Sequence, residues 1–326
     1  MANRYWRGGA GTWDTTTTTN WSTSSGGAGG ASVPTAADAV FFDQAGTYTV
    51  TCTGALTCLD ITVSAGTVTF ATGTTPTFAI SGSMSLVAGT VWSATGTITF
   101  NATTTGKTIS ASGVSFAIGT TNSITFNGVG GGWTLSTGLT TSGPITFTNG
   151  TFSTGNFAMS ALRYVNSGTG TNSVSLGSSA ITATVNPTSW SFGTTTGLTF
   201  NAGTSTITLS NTAPNFLGGG LTYYNVTFDS INIGATITGA NTFNNLTVTG
   251  GGGTTLFANL SISAAQTISG TFFTPLLPFY VSPTPQSVCY FGLELLLFHH
   301  SPLCFCGWDS SLASALNRYF TRFTRT

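Results

Sequence analysis

The stretch Val91–Ile109, VWSATGTITFNATTTGKTI, decides how the rest of the chain is read. At its centre stand Gly96, Thr97, Ile98, Thr99, Phe100 and Asn101: a glycine turn, a short alternating strand, and an asparagine at the next corner. A period of two puts Ile98 and Phe100 on one strand face and Thr97 and Thr99 on the other. The phrase recurs as Val68 and Phe70 in GTVTF, Ile124 and Phe126 in SITFNG, and Ile145 and Phe147 in PITFTNG. It returns again as Leu198 and Phe200 in GLTFNAG and as Val226 and Phe228 in NVTFD. The phenylalanines follow one another at intervals of 30, 26, 21, 53 and 28 residues. A unit of about 20 to 30 residues repeated down a chain is the mark of a solenoid.

From Thr47 to about Gly270 short strand candidates such as TYTVT, AITATV, STITLS and NLTVTG alternate with Gly, Asn, Ser and Pro corners. No window carries the i, i+3, i+4, i+7 apolar spacing of a helix. So many short strands are buried either in an antiparallel sandwich or barrel, or in a solenoid with one coil per repeat. The recurring phenylalanine favours the coil, where like residues of successive turns lie about 4.8 Å apart and an aromatic forms a ladder. The expected fold is all-β, an elongated β-solenoid of the parallel β-helix type. An N-terminal cap (1–46), a repeat body (47–271) and an irregular C-terminal tail (272–326) are expected. Phe70, Phe100, Phe126, Phe147, Phe200 and Phe228 are expected to point inward as a ladder or near-ladder, with threonines outside.

Charged residues make up 4% of the 326-residue chain and the formal net charge is zero, where a typical soluble domain is about a quarter charged. No charged face exists to attract nucleic acid or acidic lipid. Disorder is excluded differently: 40% of the residues are hydrophobic and 24 are phenylalanine, enough for a core. Exposed strands must then be solvated by the hydroxyls and amides of Thr, Ser and Asn. The opening MANRYWRGG lacks an apolar h-region, so no secretory signal is expected.

Trp6, Trp13 and Trp21 lie among Gly and Thr before the first clean strand. They suit either a sugar-stacking platform or a terminal cap over the apolar end of the coil, and the cap is the expectation. Asp38 and Asp43 suit a calcium corner or, as expected here, turn capping. Near Thr271 the character changes. Residues 1–271 hold four Lys and Arg, five Asp and no His or Glu, whereas residues 272–326 hold both histidines, three of five cysteines and five of ten prolines. A reading-frame slip produces such a simultaneous change. Residues 275–326 are expected to be irregular apart from a short helix over 308–320. Cys289, His299, His300, Cys304 and Cys306 do not have a standard zinc spacing. Glu294, the two histidines and Pro302 spoil a membrane span over 288–306.

Catalysis finds little footing. A glycan-cleaving enzyme needs paired carboxylates or a carboxylate with a basic partner. The body offers Asp14, Asp38, Asp43, Asp60 and Asp229 with the isolated cations Lys107 and Arg163. With no histidine before residue 299, a Ser/His/Asp or Cys/His arrangement in the body is excluded. The glycine runs at 128–133, 217–221 and 250–253 lack the Gly-Lys-Thr of a phosphate loop and read as corners. Cys52 and Cys58 suit a small disulfide loop or two buried thiols equally. The sequons at Asn20, Asn101, Asn149, Asn225, Asn245 and Asn259 are those chance gives so Thr-rich a chain. No catalytic, cofactor-binding or metal-ligating residue is assigned, and no cofactor is expected.

The phrases NRYWRGGAGTWDTTTTTNWSTSSGGAGGASVPTAADAVFFD, GTYTVT, WSATGTITFNATTTGKTI, GLTFNAGTSTITLS, GGGLTYYNVTF and ITGANTFNNLTVTG carry a resemblance. Over residues 3–271 the chain resembles a group of phage and viral-metagenome proteins, repetitive β-rich chains of tail-fibre or particle-surface type. In similar chains the repeat continues past the NLTVT segment, and the break at Thr271 departs from that pattern. The resemblance implies a non-enzymatic structural or adhesive protein, a phage tail-fibre or virion-surface component. It also implies a virion-surface or extracellular location. Its partners would be other virion or tail proteins, a cell-surface glycan or receptor, or further copies of itself, with no nucleic acid and no membrane span. A secreted bacterial adhesin or passenger domain is the alternative, and a glycan depolymerase on a β-helix the third reading.

Overall fold

A computed structural model describes residues 1–168, 170–185, 187–231, 235–250, 260–262 and 264–273. The expectations for the tail, its helix over 308–320 and the cysteine and histidine group at 289–306 lie outside the described residues. Each coil contributes three short strands, and Thr47–Cys52, Ala55–Cys58 and Ile61–Val63 make up an early one. The next turn repeats them as Thr67–Thr72, Thr77–Ile80 and Met84–Leu86. Three faces result, called first, second and third in that order.

Alternation positions the side chains as a half-buried strand requires. In Thr47–Cys52 the residues Tyr48, Val50 and Cys52 are buried while Thr47 and Thr49 face solvent. Successive coils pair in parallel register. On the first face Val50 lies beside Phe70, Phe70 beside Trp92, and Trp92 beside Phe116. On the second, Phe78 pairs with Ile98 and Ile98 with Ile124. The third runs from Val40 through Ile61 to Met84. About ten turns stack in this way, with no helix among the described residues.

The phenylalanine ladder needs correcting. Only Phe100, Phe126 and Phe147 occupy successive rungs of one face, stacked at centroid separations of 5.2 Å and 5.7 Å. Phe70 and Phe228 belong to the first face, beside Trp92 and Val248 respectively, and Phe200 belongs to the third, beside Val174. Phe200 is also only partly buried, whereas the other five are buried. The reason is that the shared phrase, an apolar residue followed by Thr and Phe, makes an inward-facing strand on any side of the coil. Of the intervals, only 26 and 21 residues bring phenylalanine back to the same face on the next rung; the rest carry it to another face.

Parallel pairing already begins within residues 1–46. Asn3–Trp6 pairs with Ala39–Phe42, and Gly11–Trp13 pairs with Thr47–Cys52. Trp21–Ser22 then folds back antiparallel on Asn3–Trp6, the single antiparallel pairing among the described strands. Trp6, Trp13 and Trp21 are buried there, with Trp21 edge-on to both others at 5.1 Å and 5.4 Å. Rings enclosed in this way present no face to a sugar, which excludes the platform alternative.

Two corner geometries occur along the coil. Some corners are short loops; others are crossed by one long strand, as in Ile124–Leu135 and Ile145–Ser153 between the second and third faces. At the first of these the glycine run is a close-approach device. A Cβ on Gly128 would collide with the Ala102 carbonyl of the previous coil and with the Trp133 ring. Corner amides also stack: Asn149 Nδ2 donates to Asn127 Oδ1 at 2.8 Å, and Asn245 Nδ2 to Asn225 Oδ1 at 2.8 Å.

Candidate functional site

The carboxylates weighed in the sequence are occupied by local structure. Asp14 Oδ1 accepts from the backbone of Thr16 at 2.8 Å and Thr17 at 2.6 Å. Asp38 Oδ2 accepts from the Thr35 amide at 3.1 Å and hydroxyl at 2.8 Å, and Oδ1 from the Ala2 amide at 3.2 Å. Asp43 accepts from the Gln44 side chain at 2.7 Å. Asp60 holds the Ser83 amide of the next coil at 2.6 Å, and Asp229 the Thr249 hydroxyl at 2.9 Å. Burial acts to raise the carboxyls of Asp14 and Asp38, but the hydrogen bonds outweigh it, joined at Asp38 by the Arg4 charge. Both carboxyls are held below the ordinary value of 3.8.

Cys52 and Cys58 are free, buried thiols, which decides between the two readings. Burial pushes the Cys52 thiol up to about 12, and burial, with Asp60 nearby, raises Cys58 further. Neither is a nucleophile at neutral pH. Four of the sequon asparagines are engaged through their amide nitrogens: Asn20 with the Thr12 carbonyl, Asn149 with Asn127, Asn225 with Thr206, and Asn245 with Asn225. No group of three or more His, Cys, Asp or Glu is poised to hold a metal among the described residues.

A groove stands on the third face near the C-terminal end of the described coil. It arises where two corner geometries abut. The strand Leu198–Asn201 pairs on one side with Asn172–Ser175 and then turns through Ala202, Gly203 and Thr204. Gly203 takes a φ of 57°, and its amide donates to Asn201 Oδ1 at 2.9 Å. The following coils omit this loop, because Thr222–Ile231 and Thr242–Gly250 run straight across the corner. These two strands pair with each other, Thr222 beside Thr242 and Tyr223 beside Phe243, and Thr242 lies beside Thr267. No register pair joins Leu198–Asn201 to Thr222–Tyr224 among the described residues, and the sheet parts there.

The resulting groove has a volume of about 240 Å³. The rings of Phe200 and Tyr223 lie 5.1 Å apart within it. Tyr223 is fixed from below: Trp190 Nε1 donates to its hydroxyl at 3.1 Å, and that hydroxyl donates to the Gly218 carbonyl at 2.9 Å. Burial raises its phenol well above the usual range, so it remains a neutral donor. Around the opening stand Tyr224, Asn201, Thr222, Thr242, Asn244 and Ser269. No charged side chain lines it.

Sequence reasoning missed this site, yet a signal for it exists. In LTYYNVTF the alternation that turns Tyr223 inward turns Tyr224 outward, beside Asn244 of the next coil. No protein-family model, curated protein or solved structure matches the chain. No helix among the described residues is long and apolar enough to cross a membrane.

Proposed function

We propose that the chain is a non-enzymatic structural and adhesive rod, a phage tail-fibre or virion-surface component located on the particle surface. The observation that supports this most is what the coil does with its few charges. Asp14 and Asp38 cap turns, Asp60 and Asp229 bridge rungs, and Asp43 accepts from the adjacent Gln44 side chain, which leaves a surface covered mainly by hydroxyls and amides along the described coil. Such a surface suits neutral contacts spread along a rod, with tail proteins or a cell surface as partners.

Immunogold labelling with antibody to the purified chain tests the reading. Label on phage particles, at fibres or the particle surface, is the expected result. Label confined to bacterial envelopes free of particles would replace it with the secreted-adhesin reading.

A further inference from the structure

We infer that the groove between Leu198–Asn201 and Thr222–Tyr224 is a binding site for one ring of a neutral saccharide chain. This rests on the adhesive reading and gives it a location and a ligand class. The lining combines what a sugar ring presents: apolar C–H faces for the rings of Phe200 and Tyr224, and hydroxyls for the amides and hydroxyls of Asn201, Thr222, Thr242 and Asn244. The absence of any lining charge disfavours sulfated, phosphorylated or uronic acid ligands, whose charge would lack a partner. The volume of about 240 Å³ is under the range of about 300–1,000 Å³ typical for enclosing a drug-sized ligand, which fits a single ring with the chain continuing outside.

Asn244 supplies an independent observation. Every other described asparagine uses its side chain within the fold, in ladders such as Asn149 to Asn127 or in turns such as Asn201. Asn244 is half-buried in the groove wall, and its amide, open to solvent, makes no such bond among the described residues. Water satisfies such an amide in the free protein, and a ligand hydroxyl can take that water's place. Two donors and an acceptor at the groove edge suit the vicinal hydroxyls of a sugar.

The test uses the full chain on an array of immobilised neutral glucans, mannans, galactans and N-acetylhexosamine oligomers, beside sulfated and uronic acid chains. At least one neutral chain should bind. Asn244→Ala and Tyr224→Ala should each weaken that binding about tenfold, the loss expected for one hydrogen bond or ring contact. Thr99→Ala, at an outward position on the second face, should leave it unchanged. Circular dichroism melts matching the unsubstituted chain show that the groove variants fold. Equal binding by both groove variants would overturn the assignment while leaving the adhesive reading intact. Preference for charged chains, or no neutral chain bound, would also overturn it, with the particle labelling then judging the adhesive reading separately.

Discussion

Phe126 shows what a single rung contributes. Its ring lies 5.2 Å from Phe100, 5.7 Å from Phe147, 4.5 Å from Phe152 and 5.5 Å from Trp133, and it is 1% exposed. Neighbours held by backbone on all three rungs cannot collapse into the space it would vacate. Phe126→Ala is therefore expected to cost about 3–5 kcal/mol in denaturant unfolding, and a loss well under 1 kcal/mol would contradict the packing. Phe126 was legible as an inward residue because the alternation around it is strict. Its neighbours were not legible. Alternation states inside or outside, but which of three faces a strand occupies depends on how many residues each corner consumes, and the corners vary.

At the scale of elements, that variation makes the groove. Asn-Ala-Gly at 201–203 makes a loop corner, while Tyr224 and Asn225 continue straight through the equivalent corner on the next coil. Reading that difference requires knowing which residues fall on the corner, so the groove was hidden although its glycine and its tyrosine pair were visible. At the other end Asp38 joins the first strand to the turn before Ala39–Phe42, through Ala2 and Arg4 on one side and Thr35 on the other. Its folded pKa is below its ordinary value, so the stability it contributes is present above 3.8 and is lost as pH falls through the folded value. The protection factors of the Asn3–Trp6 amides, exchange taken relative to the intrinsic rate at each pH, should therefore fall below pH 3.8. In Asp38→Asn that acid-dependent fall should shrink. Protection factors at these amides that do not change with acid would show that the carboxylate does not hold the first strand.

For the whole molecule, the decision between sandwich and solenoid was legible because an aromatic phrase recurred at coil-like intervals. The groove required the coil itself. The central claim is that successive turns stack along one axis, so separation should grow in proportion to rung number. On the first face the outward positions run in register from Thr49 through 69, 91 and 115 to Thr140, then through 160, 182 and 208 to Thr227. Spin labels introduced through unnatural ketone side chains leave the native cysteines untouched and allow pulsed electron–electron resonance to read these distances. At about 4.8 Å per rung, positions 49 and 140 should lie about 19 Å apart and positions 49 and 227 about 38 Å apart. An eight-rung distance no longer than the four-rung distance would contradict the stacked coil.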